Sequence, residues 1–157
     1  MTNQYLTFSI AGQECASGIL DVREIIGYAD VTPLPQAPPW IRGLINLRGS
    51  VVPVVDLAVK FGRAASAPTR RTCIVVTEVT IASEKLVMGI IADAVNQVVE
   101  LRADDIVETP SFGASRRVDY LHGMGKIGSA LVLMLDLDAI LATDDVLDVM
   151  DHAVAAD

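Results

Sequence analysis

The sequence predicts a mainly β protein, built as two five-stranded barrels packed on each other. Three observations carry that expectation. Apolar residues make up 52 % of the chain and aromatics only 4 %, so the core is built from Val, Ile, Leu and Ala, and β-branched richness favours strands. About ten short strand-like runs follow one another closely, without the strand–long helix–strand alternation of a parallel α/β sheet. Short-turn hairpins fall at corresponding places in the two halves, one over residues 44–55 and one over 120–135.

Taken in order, residues 4–10 alternate, with Leu6, Phe8 and Ile10 on one face and Thr7 and Ser9 on the other, which is the period of a half-buried strand. Residues 11–13 turn and 14–18 return as a strand. Residues 19–23 fit one helical turn, and 24–28 extend again. Residues 31–39 hold four prolines and read as a stiff, extended loop. Residues 40–42 are expected as a short helical turn entering the first hairpin. There the apolar runs 44–47 and 51–55 flank Arg48, Gly49 and Ser50. With Gly49 as the first central residue, the turn would be type II′. Pro53 cannot donate a ladder hydrogen bond, which places it at an edge, a bulge or a strand start. Asp56 is a natural cap for a short helix over 57–61, stopped by Gly62.

Residues 63–71, small, polar and basic, are the best linker in the chain. Beyond them strands are expected over 72–79, 86–91 and 95–101, then a helical turn at 103–106 and a loop over 109–117. The second hairpin has Gly128 and Ser129 at its tip. A helical turn at 136–141 follows, and then the one amphipathic helix, residues 144–153. The expected organisation is one domain over 1–157. Subdomain 1 spans 14–68, and subdomain 2 spans 69–143 together with the N-terminal strand 4–10.

The net charge of −8 argues against nucleic acid, which asks for a basic footprint, and against docking on an anionic membrane. Cys15 and Cys73 are the only cysteines and lie far apart, so neither a zinc site nor a disulfide framework is expected, and a reducing compartment is the default. The N-terminus lacks the pattern of a signal peptide, and no run reaches 18 apolar residues.

Residues 123–128 satisfy G-x-G-x-x-G, the alternative reading being a small-molecule- or nucleotide-binding β-domain or enzyme using the Gly123 to Gly128 region. A dinucleotide site needs a helix after the glycines, and a strand pattern follows here instead. The acidic pairs Asp104–Asp105, Asp136/Asp138 and Asp144–Asp145 sit beside short helices, where capping explains them better than acid–base or cation chemistry. His122 and His152 have no nucleophile and orienting group tied to them. No cofactor, metal or catalytic set is expected. Arg48, a permanent cation at a hairpin tip, is either an ordinary solvated arginine or a contact for a protein partner.

Several segments together resemble the CheW family of chemotaxis coupling adaptors: residues 8–28 as its opening, Trp40-Ile41-Arg42-Gly43, and above all Asn46-Leu47-Arg48-Gly49 followed by Val-Pro-Val-Val-Asp-Leu. Residues 89–98, the Tyr120-Leu121-His122-Gly123 entry and the closing LDLDAIL fit the same pattern, so the resemblance covers roughly residues 4–150. It implies two SH3-like five-stranded subdomains and no catalysis. The implied partners are the cytoplasmic tip of a chemoreceptor and the regulatory domain of the histidine kinase CheA, and the implied location is the cytoplasm, at membrane-associated receptor arrays. It carries a receptor groove onto Val22, Glu24, Gly43, Arg48, Val95 and Val98. It carries a kinase-facing end onto the segment of Phe112, with Val107 where the family often has a basic residue. The same module occurs inside CheA and at the front of CheV; without receiver, kinase or phosphotransfer motifs, a stand-alone adaptor is expected.

Overall fold

The computed structural model describes residues 2–65, 67–108 and 121–141. It is mainly β, in two sheets. The strands are β1 (Thr2–Ile10), β2 (Gln13–Gly18), β3 (Val22–Gly27), β4 (Ile41–Leu47), β5 (Ser50–Val55), β6 (Cys73–Ile81), β7 (Glu84–Ala92), β8 (Ala94–Arg102), β9 (Ile106–Val107), β10 (Leu121–Ile127) and β11 (Ala130–Leu135). Two short helices, α1 (Leu57–Lys60) and α2 (Leu137–Leu141), follow the β4–β5 and β10–β11 hairpins, and 3-10 turns lie at Ile19–Asp21 and Ala103–Asp105. The expected helix over 144–153 lies outside the described residues.

One sheet runs β3-β6-β7-β5-β4 and the other β8-β1-β2-β11-β10-β9. This corrects the expected division between residues 68 and 69. The β6–β7 hairpin belongs with β3, β4 and β5, and β2 belongs with β10 and β11. Each half of the chain gives its leading hairpin to one sheet and its later strands to the other. Two short parallel pairings make the exchange: Val54 with Gly89 and Val55 with Ile90 in one sheet, Leu133 with Cys15 and Met134 with Ala16 in the other. The linker divides two repeats in sequence, not two sheets.

The alternation within each strand feeds separate cores. In β6, Ile74 and Val76 point into the first sheet's interior with Ile45, Val52, Val54 and Ile91. Val75, Val79 and Ile81 point the other way, to a larger core between the sheets that includes Phe8, Leu57, Met88, Ile90 and Leu141. A third cluster, Ala16, Leu101, Val132 and Met134, fills the second sheet. Strands buried on both faces read as near-continuous apolar runs, which is why VVPVV and IVV carry no clean alternation.

The turns differ from expectation in one respect. Leu47 pairs with Ser50, so the central residues are Arg48 and Gly49, at φ 51° and 89°. Two positive φ values make a type I′ turn, not II′. The II′ pattern fits the second tip, where Gly128 alone has positive φ. Residues 41–42 are strand; only the turn before them is helical in character, with Ile41 N donating to Pro38 O.

Pro53 sits in β5, an interior strand, not at an edge. Two facts make that tolerable. Its partner Leu44 spends both backbone groups on Thr32, at 2.8 Å each, and pairing with β7 begins one residue later, at Val54. No ladder bond is asked of the missing N–H.

Gly43 and Gly123 occupy equivalent bulges, between Ile41 and Gly43 and between Leu121 and Gly123. A Cβ on Gly43 would collide with the Thr32 carbonyl, and one on Gly123 with the Val107 carbonyl. Backbone cannot yield as a flexible side chain does. Gly43→Ala is therefore expected to cost about 2–3 kcal/mol, the upper range of overpacking, read as a lower urea midpoint.

Cys15 is buried between the sheets, and burial, reinforced by Glu14, pushes its thiol up to about 12 from 9.0. Its native thiol is therefore expected to resist Ellman's reagent at pH 8 until denaturant is added. Burial penalises the thiolate and so favours the neutral thiol in the folded protein. That contribution is complete below pH 9.0 and is lost as pH rises toward about 12, because the unfolded thiol ionises first.

Candidate protein-binding site

Arg48 projects from the β4–β5 tip, held there by the I′ turn and by Asn46, whose Oδ1 accepts from Gly49 N at 2.8 Å. Its side chain is 74 % exposed and forks onto Glu24, Nη2 to Oε1 at 2.5 Å and Nη1 to Oε2 at 3.2 Å. Glu24 lies on β3 and Arg48 beside β4, the two edges of one sheet. Their contact therefore marks the sheet rolling toward closure. The hydrogen bond and charge of Glu24 raise the Arg48 pKa further, so the cation is permanent.

A second link joins the same edges lower down. Arg42 Nη1 donates to the Tyr28 hydroxyl at 3.1 Å and Nη2 to Asp56 Oδ2 at 2.7 Å. Asp56 is 7 % and Arg42 24 % exposed, so this pair is largely removed from water. Burial alone would lower the Arg42 pKa; the bonds to Tyr28 and Asp56 outweigh it and raise it. Asp56 also caps α1 as expected, its Oδ1 accepting from Ala58 N and Val59 N. Sequence reading found the cap but not the ion pair, because nothing in the spacing of residues 42 and 56 shows that a hairpin places them side by side.

The remaining predicted residues separate into kinds. Val22 and Val95 are structurally equivalent. Val22 pairs with Thr77 and Glu24 with Val76 across a bulge in β3, and Val95 pairs with Phe8 and Gln97 with Thr7 across the same bulge in β8. Both valines pack against the core between the sheets. Val98 is 50 % exposed on β8. Gly43 is buried and serves the backbone, as above. Val107 is half-buried in β9, pairing with Met124. Phe112 lies outside the described residues.

The same equivalence shows why only one hairpin carries the charge. Residues 41–57 map onto 121–137 without a gap, through the same bulge, two-residue turn and terminal Asp-Leu. The positions of Arg48 and Glu24 are taken by Gly128 and Gln97 in the other half. The guanidinium–carboxylate pair therefore belongs to one of two equivalent places.

The enzyme alternative finds no support in these contacts. The glycines of 123–128 lead into a strand, and a Cβ on Gly125 would press on Met134 at 2.9 Å. Asp136 caps α2 by accepting from Ala139 N, and Asp105 accepts from Arg102 N. Asp138 does not cap; it accepts from Thr80 N and ties α2 to β6. A cleft of about 530 Å³ is lined by Tyr5, Asp21, Asp136 and Asp138, yet among the described residues no group of three His, Cys, Asp or Glu is placed to hold a metal ion.

Residues 4–145 match the model of the CheW-like domain. The chain belongs to the CheW family. It is 32 % identical over 142 residues to the chemotaxis protein CheW of Klebsiella aerogenes, covering 90 % of this chain and 83 % of that protein. It is equally identical to that of Rhizobium meliloti, over 90 % and 89 %. A crystal structure of the scaffolding protein TtCheW from Thermoanaerobacter tengcongensis superposes with a TM-score of 0.79 at 27 % identity, over 92 % of this chain and 96 % of that one. As a CheW-family member the protein is a non-enzymatic adaptor, a scaffold of chemotaxis signalling, and the two packed barrel-like sheets are that scaffold's fold. No helix among the described residues is long and apolar enough to cross a membrane.

Proposed function

We propose that this adaptor couples the cytoplasmic tip of a chemoreceptor to the regulatory domain of the histidine kinase CheA, and so takes its place in membrane-associated receptor arrays. The observation that carries the reading is Arg48: a permanent, exposed cation, oriented by Glu24 on a rigid turn and lacking an equivalent in the other half. A guanidinium presented in this way makes charge-assisted contacts with one face of an amphipathic helix. Val22, Val95 and Val98 supply apolar surface for such a helix, and Gly43 sets the path of β4 leading to it. Val107 and the segment of Phe112 are the kinase-facing candidates.

Co-sedimentation with a receptor cytoplasmic fragment and the CheA regulatory domain, singly and together, tests this. Binding to each partner alone and a ternary complex with both are expected. Binding to neither would overturn the proposal.

A further inference from the structure

Lys60, Arg63, Arg70 and Arg71 place four of the chain's 12 cations within residues 60–71, a stretch without a carboxylate, leaving eight cations against 20 carboxylates elsewhere. The structure gathers both ends of this stretch. Arg63 N donates to Ala58 O at 2.8 Å and its guanidinium to Ala11 O at 3.4 Å. Lys60 Nζ lies 3.9 Å from the centre of the Trp40 ring. At the other end Pro68 and Thr72 share with Ala58 and Ile10 a gap of about 10 Å³. Arg70 and Arg71 are exposed on a pinned turn: Thr72 Oγ1 accepts from Thr69 N at 2.8 Å, Thr69 Oγ1 accepts from Arg71 N at 3.2 Å, and Thr72 O accepts from Tyr28 N at 3.2 Å. Among the described residues no carboxylate is within ion-pair distance of Arg63, Arg70 or Arg71. Asp93 lines the same gap, but its Oδ2 takes the Ala11 N–H.

We infer that this basic end, at the opposite end of β5 from the Arg48 turn, is a docking surface for a carboxylate-rich segment of a partner protein. Guanidinium forks match carboxylates bidentately, and two of them on a fixed turn lose little freedom on binding. The chain's net charge of −8 repels an extended anionic bilayer, whereas a short acidic segment feels mainly what lies within a screening length, about 8–10 Å. The surface is separate from the Arg48 site, so Arg48→Glu leaves it intact.

The test is fluorescence anisotropy of a labelled octaglutamate peptide on the full chain at an ionic strength of about 0.1 M, where the screening length is about 10 Å. The variants are Arg70→Glu with Arg71→Glu and, as a control with the same change in net charge, Lys85→Glu with Lys126→Glu at two exposed sites elsewhere. Saturable binding is expected, weakened about tenfold or more in the arginine variant and within about twofold of wild type in the control. Absence of saturable binding, or equal losses in both variants, would overturn the inference. So would flotation with vesicles of phosphatidylserine and phosphatidylcholine in equal parts that depends on the same arginines and is stronger than peptide binding, since the partner would then be a membrane.

Discussion

Arg48→Glu is expected to abolish receptor-dependent activation of the kinase while leaving the protein folded. The side chain is solvent-exposed, so its removal opens no cavity, and the I′ turn keeps Gly49 and the Asn46 bond. What changes is the sign of the charge presented to the partner. The new carboxylate also faces Glu24, and like charges at that distance repel. Receptor binding should fall by at least about tenfold in sedimentation, whereas binding to the CheA regulatory domain should stay within about twofold. The thermal midpoint should hardly move, since exposed pairs contribute little to stability. Full receptor coupling in the variant would remove Arg48 from the site; loss of binding to both partners would point to a shared surface. Glu24→Gln tests the other half of the pair: it keeps the shape and frees Arg48 from its ion pair, and it should weaken coupling whether Glu24 orients the guanidinium or touches the receptor itself.

The second large effect is one of stability. Asp56→Ala is expected to cost about 3–5 kcal/mol, the usual consequence of stranding one partner of a buried ion pair. The carboxylate accepts from Arg42, Ala58 and Val59 together, so its loss removes a charge pair and a helix cap at once. Asp56→Asn keeps a good capping oxygen and should be the milder variant, by about 1 kcal/mol. Urea unfolding of the three proteins measures both terms. Equal losses below about 1 kcal/mol would show the Arg42–Asp56 pair to behave as a surface contact. Because Arg42 also holds Tyr28, the same substitution should loosen the junction between β3 and β4 on which the Glu24–Arg48 contact depends.

Much of the fold was legible in local pattern. The hairpin over residues 44–55, the Asp56 cap and the strand character of β1, β6 and β7 follow from periodicity, turn chemistry and capping, all of which act between neighbours in sequence. Arg48 stood out as a cation beside a turn, and the family pattern around it named its function class. The contact with Glu24 was accessible only as an implication of that pattern. Nothing local in residues 24 and 48 shows that a sheet curls until its two edges meet.

The sequence by itself determined the element types, the aliphatic core, the hairpin that presents Arg48 and the family to which the chain belongs. Which strands share a sheet was decided only by the tertiary structure. Alternation tells a strand which faces to bury, but β6, buried on both, gives the same pattern whichever neighbours cover it. The reciprocal exchange of hairpins rests on two parallel pairings between strands distant in sequence. The bidentate hold on Arg48 arises only once the curled sheet brings its two edges together, whereas the buried Arg42–Asp56 pair forms across the β4–β5 hairpin and the backbone approach that requires Gly43 forms where Thr32 bridges Leu44. Each is a short-range interaction between residues that only folding brings together.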